Sequence, residues 1–135
     1  MPQRPPRVVK FVKAEVTNAG GRCKARVELR REPDHSYFGN AESGAADLLR
    51  AVAQATANAL LQAASADSDA SGYEIRVKQI VIQDTFGKDT VLVSLAGTFF
   101  NQRRDLLGLC VVEGDQARAA AFAVLNATNR FLGVG

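Results

Sequence analysis

AVAQAT at residues 51–56 returns as AVLNAT at residues 123–128, an offset of 72 in a chain of 135 residues. Both stretches place small residues every three or four positions, the spacing of a helix that lies close against another element along one side. Leu60 matches Leu132 at the same offset, so the likeness extends past a single turn. A helix repeated at that distance implies that the elements before it are repeated as well.

The residues upstream of each helix bear this out. Residues 8–17 are rich in valine and read as a strand, closed by the turn Asn18, Ala19, Gly20, Gly21. Cys23, Ala25, Val27 and Leu29 then alternate with Lys24, Arg26, Glu28 and Arg30, the period of a strand with one buried and one wet face. Residues 31–36, with Pro33, make a turn, and residues 37–42 a third strand. The first helix spans about residues 44–64: Ala45, Leu48, Leu49, Val52, Ala55, Thr56, Ala59 and Ala63 share one side, while Asp47, Arg50, Gln54 and Asn58 point away. SADSDASG (65–72) reads as a linker. The order then restarts: a strand over 73–83, a turn over 84–89, and a strand over 90–100. A turn over 101–105, a nearly all-apolar strand over 106–112 and a helix over 115–132 complete the chain. Phe11-Val12-Lys13 echoes Arg76-Val77-Lys78, and Gly39 echoes Gly108. The expected fold is α+β: two βββα units, 8–64 and 73–135, in one compact domain, with mainly antiparallel sheet covered by two helices. Residues 1–7 are expected to form a flexible arm.

On the second helix, Ala117, Ala120, Ala121, Val124, Ala127, Thr128 and Phe131 form the stripe that should pack on the sheet. Phe122, Asn126 and Asn129 share the opposite side, and Arg118 and Arg130 are the only charges within the helix. An aromatic ring supplies contact area, and amides donate and accept across a seam without the desolvation cost of a charge. Phe122, Asn126 and Asn129 are therefore the expected homodimer interface, with the edge strands as the alternative contact, against the plainer reading of a wet helix side with one stray phenylalanine.

Composition narrows the function classes. With 47% hydrophobic and 23% charged residues the chain has the make-up of a folded domain. No apolar run approaches the ~18 residues of a membrane span, and no signal-peptide pattern opens the sequence, so a cytoplasmic protein away from membranes is expected. Cys23 and Cys110 lie in apolar strands and read as buried free thiols. His35 is the only histidine and has no neighbouring ligand set. No Ser-His-Asp or Cys-His arrangement and no phosphate-binding glycine motif can be assembled, so a non-enzymatic protein without a cofactor or metal is expected. Charge is uneven: nine Lys/Arg against two acids through Arg31, then eight against twelve. Lys24, Arg26, Arg30 and Arg31, with Arg103 and Arg104, make the case for an alternative role in nucleic-acid binding. Glu28 interrupts that row, and a solvated sheet face is the simpler reading.

YEIRVKQIVIQDTFGKDTVLVSLAGTF (73–99) followed by LLGLCVVEGDQARAAAFAVLNATNRFL (106–132) resembles the C-terminal regulatory domain of 2-isopropylmalate and citramalate synthases. The likeness rests on the strand from Tyr73, the Gly87-Lys88-Asp89 turn, the glycine strand and the Asp-initiated helix. That helix ends in a Leu-Asn-Ala-x-Asn-Arg-like signature at Leu125 to Arg130. The order of elements also matches from about Val8. The resemblance implies a duplicated βββα module that dimerises and binds an end-product amino acid near glycine-rich turns leading into the helices. Carried onto this chain, the effector residues would be Gly39, Asn40, Asp47, Gly108 and Asp115. Where that family has Gly-x-Gly-Pro-x-Asp-Ala, this chain has Gly39-Asn40-Ala41-Glu42-Ser43-Gly44-Ala45-Ala46-Asp47, and the strand at Gly108 lacks the second glycine. The catalytic barrel of the synthases has no counterpart in 135 residues. A small-molecule effector or protein partner, and a second copy of the chain, are the partners this reading implies.

Overall fold

The computed structural model describes residues 9–31, 35–44, 47–67, 73–99 and 101–129. The expected arm (1–7), Ala45 of the first helix's stripe, residues 68–72 of the expected linker, and Arg130, Phe131 and Leu132 of the expected second helix lie outside them. Eight elements follow in the order βββα, βββα: β1 (Val9–Ala19), β2 (Arg22–Arg31), β3 (His35–Gly44), α1 (Leu48–Asp67), β4 (Glu74–Thr85), β5 (Lys88–Phe99), β6 (Gln102–Val111) and α2 (Gln116–Thr128). They form two three-stranded antiparallel sheets, β1-β2-β3 and β4-β5-β6. The α+β class and the repeated units are as the sequence predicts.

Several boundaries differ. Helix α1 starts at Leu48 and continues through Asp67, so the expected linker begins as helix and Gly44 ends a strand. The turn expected over 101–105 is much shorter. Asn101 takes a left-handed φ of 65°, which asparagine tolerates, and β6 runs from Gln102. Residues 102–105 are polar because that end of the strand is exposed, not because the strand has stopped.

Each sheet buries one face. Phe11, Leu29 and Tyr37 form one inner row of the first sheet, and Ala14, Val27 and Gly39 the next. Val77, Leu95 and Leu106, then Ile80, Val93 and Gly108, are the matching rows of the second. A β-bulge sits at Val12 in β1 and at Lys78 in β4. The true equivalence therefore sets Phe11 against Val77 and Val12 against Lys78, one residue from the sequence echo, because the bulge and the inward side chains fix the register.

The helices are also offset from their sequence match. A Cβ on Gly39 would run into the backbone of Ala55 and Ala59, and one on Gly108 into Ala123 and Ala127. Asp47 and Asp115 cap the two helices through bonds from Arg50 N (3.3 Å) and Ala117 N (2.9 Å). Both observations relate the helices by 68 residues rather than 72. The repeat AVAQAT/AVLNAT is one helical turn out of step with the fold, because small residues recur at every turn of both helices.

Each helix lies on its own sheet, touches the other helix, and meets the first strand of the other unit: α1 touches β4, and α2 touches β1. Ala51, Val52, Ala53, Ala55, Thr56, Ala57, Ala59 and Leu60 are all buried, so α1 is enclosed on nearly every side. The buried hydroxyls of Thr56 and Thr128 donate to Val52 O (2.8 Å) and Val124 O (3.0 Å), one turn back.

Candidate functional site

The residues expected to hold an effector have work inside the fold. Gly39 and Gly108 are the points where helix backbone rests on sheet backbone. Asp47 and Asp115 are N-caps. Asn40 is exposed on β3, and its carbonyl accepts a bond from Asn58 Nδ2 (2.8 Å).

The polar side of α1, expected to face water, is a seam instead. Gln54 Nε2 donates to Ile75 O (3.1 Å) while its Oε1 accepts from Val77 N (3.0 Å), so one side-chain amide occupies the free edge of β4 as a neighbouring strand would. Arg50 adds bonds to Val77 O (3.1 Å) and Lys78 O (3.2 Å) at the bulge. With the helices matched at 68, Arg118 and Phe122 stand where Arg50 and Gln54 stand. Phe122 meets Phe11 of β1 with ring centroids 5.4 Å apart, and the Arg118 guanidinium lies 5.2 Å over the Phe122 ring. Of the side expected to form a dimer interface, Phe122 is thus half-buried against its own chain. Asn126 accepts from Leu109 N (3.1 Å) with Oδ1, and Asn129 is exposed at the helix end, its N–H bonded to Leu125 O (2.9 Å).

The residues proposed for nucleic acid are not all brought together. Lys24, Arg26 and Arg30 line the outer face of the first sheet with Lys10, Lys13 and Arg22. Arg26 covers the Phe38 ring at 4.5 Å. Glu42 pairs with Arg22 (3.1 Å) and Lys24 (3.3 Å), Glu28 with Arg30 (3.7 Å), and Glu15 with Lys13 (3.1 Å). Arg31 turns to the inner side, bonding Tyr37 Oη (3.1 Å) and Ala63 O (3.3 Å). Arg103 and Arg104 are on β6, in the other sheet.

The outer face of the second sheet has a different chemistry. Val81, Leu92 and Leu109 form a row across all three strands, and Leu107 stands in the adjacent row with Gln79 and Ser94. Leu107 and Leu109 are 77% and 54% exposed. Sequence reasoning did not pick out these residues, although the near-continuous apolar run from Leu106 to Val112 carried the signal: a strand apolar on both faces has two surfaces to cover. At the β4–β5 hairpin tip, Phe86 is fully exposed at a left-handed φ of 54°, followed by Gly87 at 80°.

Among the described residues, no group of three or more His, Cys, Asp or Glu side chains is placed to hold a metal ion, and no helix is long and apolar enough to cross a membrane. Cys23 is buried as expected, but Cys110 is only half-buried; its thiol is still pushed above its ordinary pKa by that burial, then by nearby Glu113, with Arg118 opposing. Compared with known proteins, the chain matches no family model and no curated protein.

Proposed function

We propose that this protein is a non-enzymatic association module that pairs with itself and senses a small-molecule effector or protein partner, in the manner of the amino-acid-effector domains it resembles. One observation supports this above the rest: two units of common architecture have outer sheet faces of different character, one charged and one uncharged at its centre with an apolar middle row. On that face Val81, Leu107 and Leu109 stay 39%, 77% and 54% exposed, an apolar surface that a contact would cover.

Size-exclusion chromatography with light scattering at tens of micromolar should give a dimer; a clean monomer removes the self-association claim. Binding of a ligand to the native state raises the melting temperature. A thermal-shift series with leucine, isoleucine and other amino acids should therefore identify an effector, and a flat response across the series counts against sensing.

The cluster Lys10, Lys13, Arg22, Lys24, Arg26 and Arg30 on one sheet face favours a second reading, nucleic-acid binding. Filter binding to duplex RNA and DNA across a salt series separates the two. Tight binding with a steep salt slope supports this alternative, and no binding at low salt ends it.

A further inference from the structure

The duplication supplies an internal comparison. Three cross-strand rows on the outer side of the second sheet are Gln79–Ser94–Leu107, Val81–Leu92–Leu109 and Gln83–Thr90–Val111, of which Thr90 is buried among its neighbours and Leu92, Ser94 and Val111 are half-buried. None of these nine residues is charged. The equivalent rows of the first sheet, matched through the bulges and the packing glycines, are Lys13–Glu28–Phe38, Glu15–Arg26–Asn40 and Thr17–Lys24–Glu42. Six of those nine are charged. Charges on the second sheet's outer face gather at its ends: Glu74, Arg76, Lys78, Arg103 and Asp105 at one, Lys88 at the other. The first sheet shows that the architecture accepts a charged outer surface, so the bare one is not forced by the fold.

The hairpin tips differ in the same sense. In the first unit the turn is Gly20-Gly21, at φ 58° and 74°, the residues such a turn favours. In the second, Phe86 occupies the position of Gly20 in the same left-handed region, with its ring in water. A bulky residue held there carries strain that glycine avoids.

The geometry points to a face-to-face homodimer through the outer surface of β4, β5 and β6, with Phe86 at its rim; the inference rests on the self-association reading above. A second copy of this chain is the occupant because the surface complements itself. A two-fold axis through Leu92 lays the central row antiparallel on its twin, with Leu109 over Val81 of the partner subunit. Strands of this length and spacing give the whole outer face, its charged ends included, a projected area of about 550 Å². Burial of the Phe86 ring adds ~200 Å². Together these approach the ~800 Å² that each partner contributes to a stable interface. The helix α2 side is less available, since Phe122 and Asn126 are engaged within the chain.

The test is the dimer dissociation constant of the full chain, measured by analytical ultracentrifugation, for the wild type and three variants. Leu107→Lys combined with Leu109→Lys places two charges in the seam and should weaken the dimer by at least ~100-fold. Phe86→Gly restores the turn of the first unit, so it should not lower the melting temperature of the monomer, yet should weaken the dimer by about tenfold. Arg26→Glu, on the other sheet, should leave it unchanged. A wild-type dimer whose dissociation constant is indifferent to the leucine and Phe86 changes overturns this interface while leaving self-association standing. A monomeric wild type overturns both.

Discussion

At Gly39 and Gly108 a single methyl group decides whether a helix can lie on its sheet. A Cβ at either would meet helix backbone, which cannot swing aside as a side chain can. Gly39→Ala and Gly108→Ala should each cost about 3 kcal/mol or more in urea unfolding, the penalty of an overpacked core. The N-caps are gentler: Asp115→Ala should lower stability by ~1 kcal/mol. If Asp115 also held an effector's ammonium group, the same variant would abolish the ligand-induced thermal shift, and the two measurements separate the roles. The Cys110 thiol offers a pH probe. Its pKa is raised by burial, so the neutral form is the one the fold favours. The stability it contributes is full below the ordinary thiol range and is lost as pH rises through the elevated value. Iodoacetamide should accordingly modify Cys110 more slowly than a free thiol at pH near 8, with the gap closing at higher pH.

Among the elements, the pairing of α1 with β4 carries the sharpest expectation. Truncating Gln54 to alanine strands Val77 N–H and Ile75 C=O at a part-buried edge, at a cost of about 1–3 kcal/mol. Asn58→Ala, which frees one exposed carbonyl at Asn40 and removes one of the two acceptors of Gln54 Nε2, should cost less in the same urea titration. These elements also show where sequence patterning succeeds and where it stops. Alternation of Cys23, Ala25, Val27 and Leu29 with charged residues announced β2 and its buried face, because a period of two has one structural meaning. The helical wheel of α1 separated Gln54 and Asn58 from the alanine stripe correctly, but a wheel records polarity, not what satisfies it. Water and an unpaired strand edge ask for the same side chains. The offset between the helices was misread for a related reason: small residues at every turn make a slip of one turn invisible until Gly39 and Gly108 fix the contact. The effector residues carried over from the resemblance fall on caps and packing glycines, positions for which structure and ligand binding select the same amino acids.

For the molecule as a whole, each helix is shared between its own sheet and the other unit's first strand. Neither half can then close its core alone: the segment through Asp67 keeps α1 but lacks β4, and the segment from Tyr73 keeps α2 but lacks β1. Expressed separately, the two halves should show little helical circular dichroism, and mixing them should restore it; a half that folds cooperatively by itself would contradict the interlock. The two joints are nevertheless unequal. At β4 the Gln54 amide stands in for a missing neighbour, whereas at β1 the same place is filled by the Phe122 ring, which offers the main chain nothing to bond. Of these two joints, the valine-bearing β1 is the border at which foreign chains could add themselves strand by strand into fibrils, and Lys10 and Lys13 are its sentries. A protein stripped of those two charges would have its weakest defence against amyloid-like growth at the site where a phenylalanine stands in place of an amide.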